Sequence, residues 1–387
     1  MKIFVDENIP QGLEAFSKFG EVIPFAGRLL KKEQLVEAQA EALIVRSITK
    51  VNADLLQGTA VKFVATATIG TDHFDESYLK KNHITYAASP GCNANAVGEY
   101  FTSALTWLHA EKGYSLEGKV LGIIGYGHVG KNVAAKAKAL GLEVLLCDPP
   151  LAEIDPSPFS PLSTLLEKAD ILTLHVPLTR SGPYPTLKMA NADFFSQLKK
   201  PIALINTCRG EVIDPTAFLQ AYTEQKFKHI IFDVFYGEPN VDPNIATKCD
   251  LITSHIAGYS LHGKLNGTTQ VAAAFRKYFG FTKPWTPKYP SPVDAIIAYP
   301  AANLGTVSDE VFLYQCIQKA YPIQEDDARL RPSYGANYEN ERAAKTFDRL
   351  RKEYPIRHEF SEYKISHLPK EKSDLRDNLL ALGFSVI

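Results

Sequence analysis

Short apolar runs alternate with stretches of helical spacing along most of the chain. In the first ninety residues KIFVD, EALIVRS, VKFVATATIG and ITYAAS read as strands, each followed by a helix-like segment. That alternation predicts parallel βα units. From Asn95 to Lys112 the pattern lengthens, with Val97, Phe101, Ala104, Leu105 and Leu108 on one helical face; this predicts a long helix leading from one domain into the next. Alternation resumes from Lys119 to Ser254 in KVLGIIG, LEVLLCD, ADILTLHV, IALINT, HIIFDV and DLITSH. Runs this apolar are buried on both faces, so a doubly wound parallel sheet is expected. After Phe279, GFTKPWTPKYPSP places four prolines within ten residues of Lys283 and reads as a linker. The last hundred residues read as a small α+β domain in which the charge run ENERAAKTFDRLRKEYPIRHEF is a solvated helix face.

Composition narrows the class. With 387 residues, 45 % hydrophobic and 22 % charged, the chain can fill two or three ordinary cores. Lys and Arg number 42 against 43 Asp and Glu, giving a net charge of -1. No global field draws nucleic acid or anionic lipid, so an anionic ligand needs a local pocket. Five scattered cysteines without a CxxC pair suit a reducing compartment and neither a disulfide framework nor a metal site. The amino terminus turns polar after four apolar positions, and no later run approaches the roughly 18 apolar residues of a membrane span. The expected location is the cytoplasm, with neither a membrane nor a nucleic acid as partner.

The sharpest local signal is VLGIIGYGHVGKNVAAKAKALGLEVLLCDPP. Gly125, Gly127 and Gly130 form G-x-G-x-x-G between an apolar strand and a segment of helical spacing. Their tasks are the tight turn, backbone approach to a pyrophosphate, and close packing of helix on strand. The loop Gly125, Tyr126, Gly127, His128, Val129 and Gly130 is therefore the candidate phosphate cradle. Asp148, at the end of the second strand, is placed to bind both ribose hydroxyls and repel a 2′-phosphate, which points to NAD over NADP. Its bland alternative is a strand-end cap before Pro149-Pro150.

Three further strand ends carry polar residues: Arg209 in INTCRG, Glu238 in VFYGEP and His255 in TSHIAGYS. Singly each has an ordinary structural reading. Together they match the oxidation of a 2-hydroxy acid, which needs a base for the hydroxyl proton, a cation for the carboxylate and a nicotinamide for the hydride. His255 is the candidate base, Glu238 its orienting carboxylate and Arg209 the carboxylate clamp. In the first domain Arg46, Ser47, Lys50 and Thr68 fall at strand ends, where Arg46 or Lys50 can supply charge to a phosphate. Ser47 and Thr68 are equally read as turn formers.

These motifs, with TIGTDHFD, SPGCNANAVGEY and INTCRGEVID, resemble the D-isomer-specific 2-hydroxyacid dehydrogenases over residues 1–280. The resemblance implies two doubly wound Rossmann-like parallel-sheet domains: a substrate-binding domain of residues 1–95 completed by 256–283, and an NAD-binding domain of 96–255. Residues 284–387 would be a small α+β carboxy-terminal dimerisation domain. It also implies Arg209, Glu238 and His255 as the catalytic set and Ser47, Thr68 and Tyr259 as substrate contacts, beside Arg46. Val176 (through its backbone), Thr207, Cys208, Asp233 and Gly258 would contact the cofactor. For Asp233 the expectation is the nicotinamide amide, the alternative a strand-end hydrogen bond to backbone. Within the family the likeness is to enzymes of pyridoxine biosynthesis that form homodimers and act on a small phosphorylated 2-hydroxy acid. A 3-phosphoglycerate dehydrogenase and an NAD-sensing corepressor-like protein are the competing readings; Trp285 to Ile387 lacks a clear βαββαβ regulatory pattern, which weighs against the first, and the intact Arg209, Glu238 and His255 weigh against the second.

Overall fold

Apolar runs too short for helices and covered on both faces become the strands of two parallel sheets. The computed structural model describes residues 1–300 and 307–387. They form two compact units, one of Met1–Ala94 with Tyr259–Pro290 and one of Asn95–Gly258 with Ser291–Ile387.

In the first unit β1 (Lys2–Asp6), β2 (Glu21–Phe25), β3 (Ala42–Val45), β4 (Phe63–Thr66) and β5 (Thr85–Ala87) lie in the order β2-β1-β3-β4-β5. All pairs are parallel. β2 is missing from the sequence reading because Pro24 interrupts EVIPF; on a sheet edge its absent N–H breaks no ladder bond. Helix Leu261–Phe279 completes this unit. Phe275 is fully buried, its ring 5.3 Å from Phe16 and 5.6 Å from Phe63, and burying such a ring contributes about 1.5–3 kcal/mol. The segment expected as a linker is instead docked as far as Pro290. Trp285 lies in the same core as Phe275, and the Gln11 side chain both donates to the Lys288 carbonyl (2.7 Å) and accepts from its N–H (2.9 Å).

The second unit contains β6 (Val120–Ile124), β7 (Glu143–Cys147), β8 (Ile171–Leu174), β9 (Ile202–Asn206), β10 (Phe227–Phe232) and β11 (Leu251–Ile252). Their order is β11-β10-β9-β8-β6-β7, wholly parallel. The order reverses at β6, between β7 and β8, and ligands of open α/β sheets gather at the carboxyl ends there. A third sheet, β12 (Ile296–Ala298), β13 (Lys364–Ser366) and β14 (Ser385–Val386), is also parallel. The fold class is α/β, as the alternation predicts.

Helix Ala94–Lys112 buries more than the face predicted from its apolar positions: Glu99, Thr102, Ser103 and Thr106 are buried too. The tail explains this. Ser103 Oγ donates to the Tyr321 carbonyl, and Gln318 Nε2 donates to Thr106 Oγ1 at 2.9 Å. Leu330, Tyr334, Ala343 and Phe347 join the core that holds Leu204, Phe218 and Phe232. The charge run divides accordingly. Helix Asn340–Lys352 is largely solvated, but Arg357, Glu359 and Phe360 beyond it are buried against the dinucleotide half, because they find hydrogen-bond partners there. Among the described residues no helix is long and apolar enough to cross a membrane, and no cluster of His, Cys, Asp or Glu could hold a metal.

Candidate active site

The loop after β6 has the backbone that its glycines predict. Gly125 turns at φ 93°, which brings it against the His175 carbonyl after β8. A Cβ on Gly130 would overlap the Gly125 carbonyl, so helix His128–Ala139 can start this close to β6 only with glycine there. A Cβ on Gly127 would meet nothing, leaving its backbone open beside the exposed His128. Open backbone at the start of a twelve-residue helix fits a dinucleotide pyrophosphate. Asp148, after β7, accepts from Tyr126 N–H (2.7 Å) and Leu151 N–H (3.1 Å). The strand-end cap therefore exists, yet a carboxylate has about four acceptor positions, and Asp148 stays partly exposed.

Arg209, Glu238 and His255 sit on the loops after β9, β10 and β11. Asn206 shapes the first loop, its side chain accepting from Cys208 N–H and donating to the Arg209 carbonyl at 3.1 Å each. Arg209 Nη1 turns back to the Cys208 carbonyl at 2.7 Å. A Cβ on Gly210 would overlap the Phe235 backbone; glycine thus lets the Arg209 loop close on the loop that carries Glu238. Glu238 Oε1 accepts from Phe235 N–H (2.8 Å), and Oε2 lies 2.7 Å from His255 Nδ1. Burial opposes the charge on Glu238, but His255, Arg351 and the Phe235 N–H outweigh it and hold the carboxyl below its ordinary range.

His255 has a left-handed backbone, φ 56°, a conformation that costs a non-glycine residue on the order of 1–3 kcal/mol. Asp233 holds it there. Its carbonyl accepts from His255 N–H at 2.7 Å, and its buried carboxylate accepts from Thr253 Oγ1 and from the N–H groups of Ile256 and Ala257 at 2.6–2.9 Å. Burial pushes the Asp233 carboxyl above its usual range, against the pull of His255 and these donors. The backbone reading of Asp233 is thus the one on view: it fixes the turn from His255 to Ala257 and leads to Gly258.

His175 went unremarked in the sequence, although a histidine closing ADILTLHVP is the same strand-end signal. Its ring lies 2.9 Å from Thr173 Oγ1 and 3.4 Å from Thr207 Oγ1, and burial pushes its pKa down to about 3, so it is neutral. Val176 follows it beside Gly125. Cys208 is buried and its thiol pushed up to about 11, which makes it a packing group and a poor nucleophile. Arg351 had no sequence signal, because only folding brings the tail to Glu238.

In the first unit Arg46, after β3, donates from Nη2 to Tyr259 OH at 3.0 Å. Residues 213 apart in sequence are thereby brought together. Thr68 pairs with Thr66 Oγ1 at 2.7 Å, while Ser47 and Lys50 are exposed. Lys264, unnoticed in the sequence, places Nζ 4.4 Å from the centre of the Tyr259 ring.

Residues 96–257 match the family profile "D-isomer specific 2-hydroxyacid dehydrogenase, NAD binding domain", and residues 297–383 match one described only as a domain of unknown function (DUF3410). The chain is 44 % identical to erythronate-4-phosphate dehydrogenase of Pectobacterium carotovorum subsp. carotovorum (strain PC1), covering 100 % of this chain and 98 % of the relative. It is 42 % identical to the same enzyme of Escherichia coli O157:H7, covering 100 % and 99 %. Among solved structures it is similar to an NAD+-bound 3-phosphoglycerate dehydrogenase of Entamoeba histolytica, at TM-score 0.62 and 26 % identity over 75 % of this chain and 99 % of the other. A D-lactate dehydrogenase of Aquifex aeolicus with NAD and lactic acid gives TM-score 0.60 and 25 % identity over 72 % and 96 %.

Proposed function

The chain belongs to the erythronate-4-phosphate dehydrogenase family, and on that premise we propose that it oxidises 4-phospho-D-erythronate to 2-oxo-3-hydroxy-4-phosphobutanoate in pyridoxal 5′-phosphate biosynthesis. The observation that carries this reading is the 2.7 Å contact between His255 Nδ1 and Glu238. With Nδ1 so engaged, Nε2 is the free base for the proton of the C2 hydroxyl. Glu238, held anionic, stabilises the imidazolium that results. Arg209 clasps the substrate carboxylate as a bidentate, permanent cation. Bound NAD supplies the acceptor for the C2 hydride, so loss of proton and hydride leaves the 2-oxo product.

Gly125 to Gly130 and Asp148 would hold the cofactor's pyrophosphate and ribose, with Val176, Thr207, Cys208, Asp233 and Gly258 along the nicotinamide half. Arg46, Ser47, Thr68 and Tyr259 would receive the substrate, with Arg46 or Lys50 supplying charge for its phosphate. We place the enzyme in the cytoplasm as a homodimer. Five buried free thiols support the compartment. In the test, His255→Asn loses turnover by about 100- to 10,000-fold, as expected for a general base, and keeps its NADH affinity. Turnover within tenfold of wild type would remove His255 from this role.

A further inference from the structure

The turn that carries His255 is held from two sides, and only one belongs to the dinucleotide domain. Asp233 Oδ2 accepts from the Ala257 N–H at 2.9 Å. The carbonyl of the same residue accepts from Arg357 Nη2 at 2.7 Å, a donor 100 residues away in the tail. The same Nη2 reaches the Ala96 carbonyl at 3.2 Å. One buried nitrogen therefore ties the start of the long helix to the turn that ends the catalytic loop. Both carbonyls lie within two residues of the points where the chain passes from one unit to the other, 94/95 and 258/259.

Arg357 is placed by its surroundings as firmly as it places others. It is 6 % exposed, with its guanidinium 4.2 Å from the centre of the Tyr321 ring. Tyr321 is fixed in turn by Ser103 Oγ at its carbonyl and by Asp326, which accepts from its hydroxyl at 2.8 Å. Two residues on, Glu359 accepts from Asn95 Nδ2 at 2.7 Å, and Phe360 N–H donates to Glu99 at 2.8 Å. A cation this deep costs several kcal/mol to desolvate. Glu99 and Asp326 offset part of that cost, and the hydrogen bonds to the Ala96 and Ala257 carbonyls fix where the guanidinium donates.

We propose that Arg357 is a positioning residue for the dehydrogenase reaction: through the Ala257 carbonyl it sets the His255 turn, which gives the carboxy-terminal domain a part in the active site. The inference rests on His255 as the base. Because His255 is left-handed and its ring must meet both Glu238 and a hydroxyl, a small rotation of the 257 peptide misplaces Nε2, and a misplacement of about 1 Å can cost about 100-fold in rate.

The test compares Arg357→Met, which keeps the volume and loses the donors, with Arg357→Lys, whose ammonium can still donate to both carbonyls. In NAD-loaded protein labelled with 13C at histidine Cε1, the His255 resonance, assigned with His255→Asn, shifts in Arg357→Met and returns toward its wild-type position in Arg357→Lys. In parallel, kcat falls at least tenfold in Arg357→Met and recovers in Arg357→Lys, while KM and NADH affinity stay within threefold. If Arg357→Met does not fold, Arg357→Gln replaces it, and the order wild type, Lys, Gln in kcat at equal NADH affinity is required. An unmoved His255 resonance, equal kcat in all variants, or losses in kcat that follow NADH affinity and thermal midpoint together would each overturn the proposal. The resonance is read without substrate, so it stands apart from the choice of substrate; a wild type inactive on 4-phospho-D-erythronate but with a shifted resonance in Arg357→Met counts against the functional reading alone.

Discussion

His255 and Asp148 show how far single residues can be read. Both stand at strand ends inside local motifs, so type and spacing were enough to single them out. Their neighbours decide what they do. Asp148 is already engaged by the Tyr126 and Leu151 N–H groups, and its remaining acceptor positions carry the proposed choice of cofactor. Asp148→Ala is expected to lower the NAD over NADP preference in kcat/KM, with at most a few degrees of change in thermal midpoint; an unchanged preference in steady-state kinetics would leave Asp148 as a cap alone. Arg357 was invisible at this scale. Within a charge run a buried arginine has the same sequence signature as a solvated one, and only its partners, Ala96 and Ala257, distinguish them.

At the scale of elements, periodicity located the strands and missed what tertiary contact decides. Pro24 hid β2 because a proline is tolerated only where a sheet ends, and sequence does not show the edge. The prolines after Phe279 suggested freedom, whereas Trp285 and Lys288 are docked. The helix from Ala94 to Lys112 was read with one buried face, since the tail that covers the other is two hundred residues away. That covering contact contains a pH-sensitive group. Burial, with Glu359 nearby, pushes the Glu99 carboxyl up to about 8, against the pull of Lys136, Arg357 and the Phe360 N–H. A carboxyl raised in the fold favours folding most below its unfolded value of 4.5, and that contribution is lost as pH rises through about 8. Glu99→Gln keeps an acceptor for Phe360 N–H and removes the titration. Its thermal midpoint is therefore expected to fall less than that of the wild type between pH 6 and pH 9, by roughly several degrees for each 1–2 kcal/mol of linkage. Parallel midpoints over that range would show that Glu99 is not the group responsible.

At the scale of the molecule, the chain forms two units, and the tail is part of the second. The first unit brings Arg46 to Tyr259, a pairing that no motif foretold, and the second aligns the loops after β6 to β11 as the alternation predicts. The tail looked like an appendage because it has no motif of its own; what links it to these loops is the charge of Arg351 acting on Glu238 and the hydrogen bond from Arg357 to the Ala257 carbonyl. A net charge of -1 is compatible with an anionic substrate, since a few fixed cations, the role proposed for Arg209 and Arg46, suffice where the global field is nearly zero. The proposed substrate is one of several similar 2-hydroxy acids, and the rate of NADH appearance with 4-phospho-D-erythronate and with 3-phosphoglycerate, side by side on the wild-type protein, distinguishes them. A kcat/KM at least tenfold higher for 4-phospho-D-erythronate is expected. Faster use of 3-phosphoglycerate, or no substrate-dependent change in NADH absorbance with either, would contradict it.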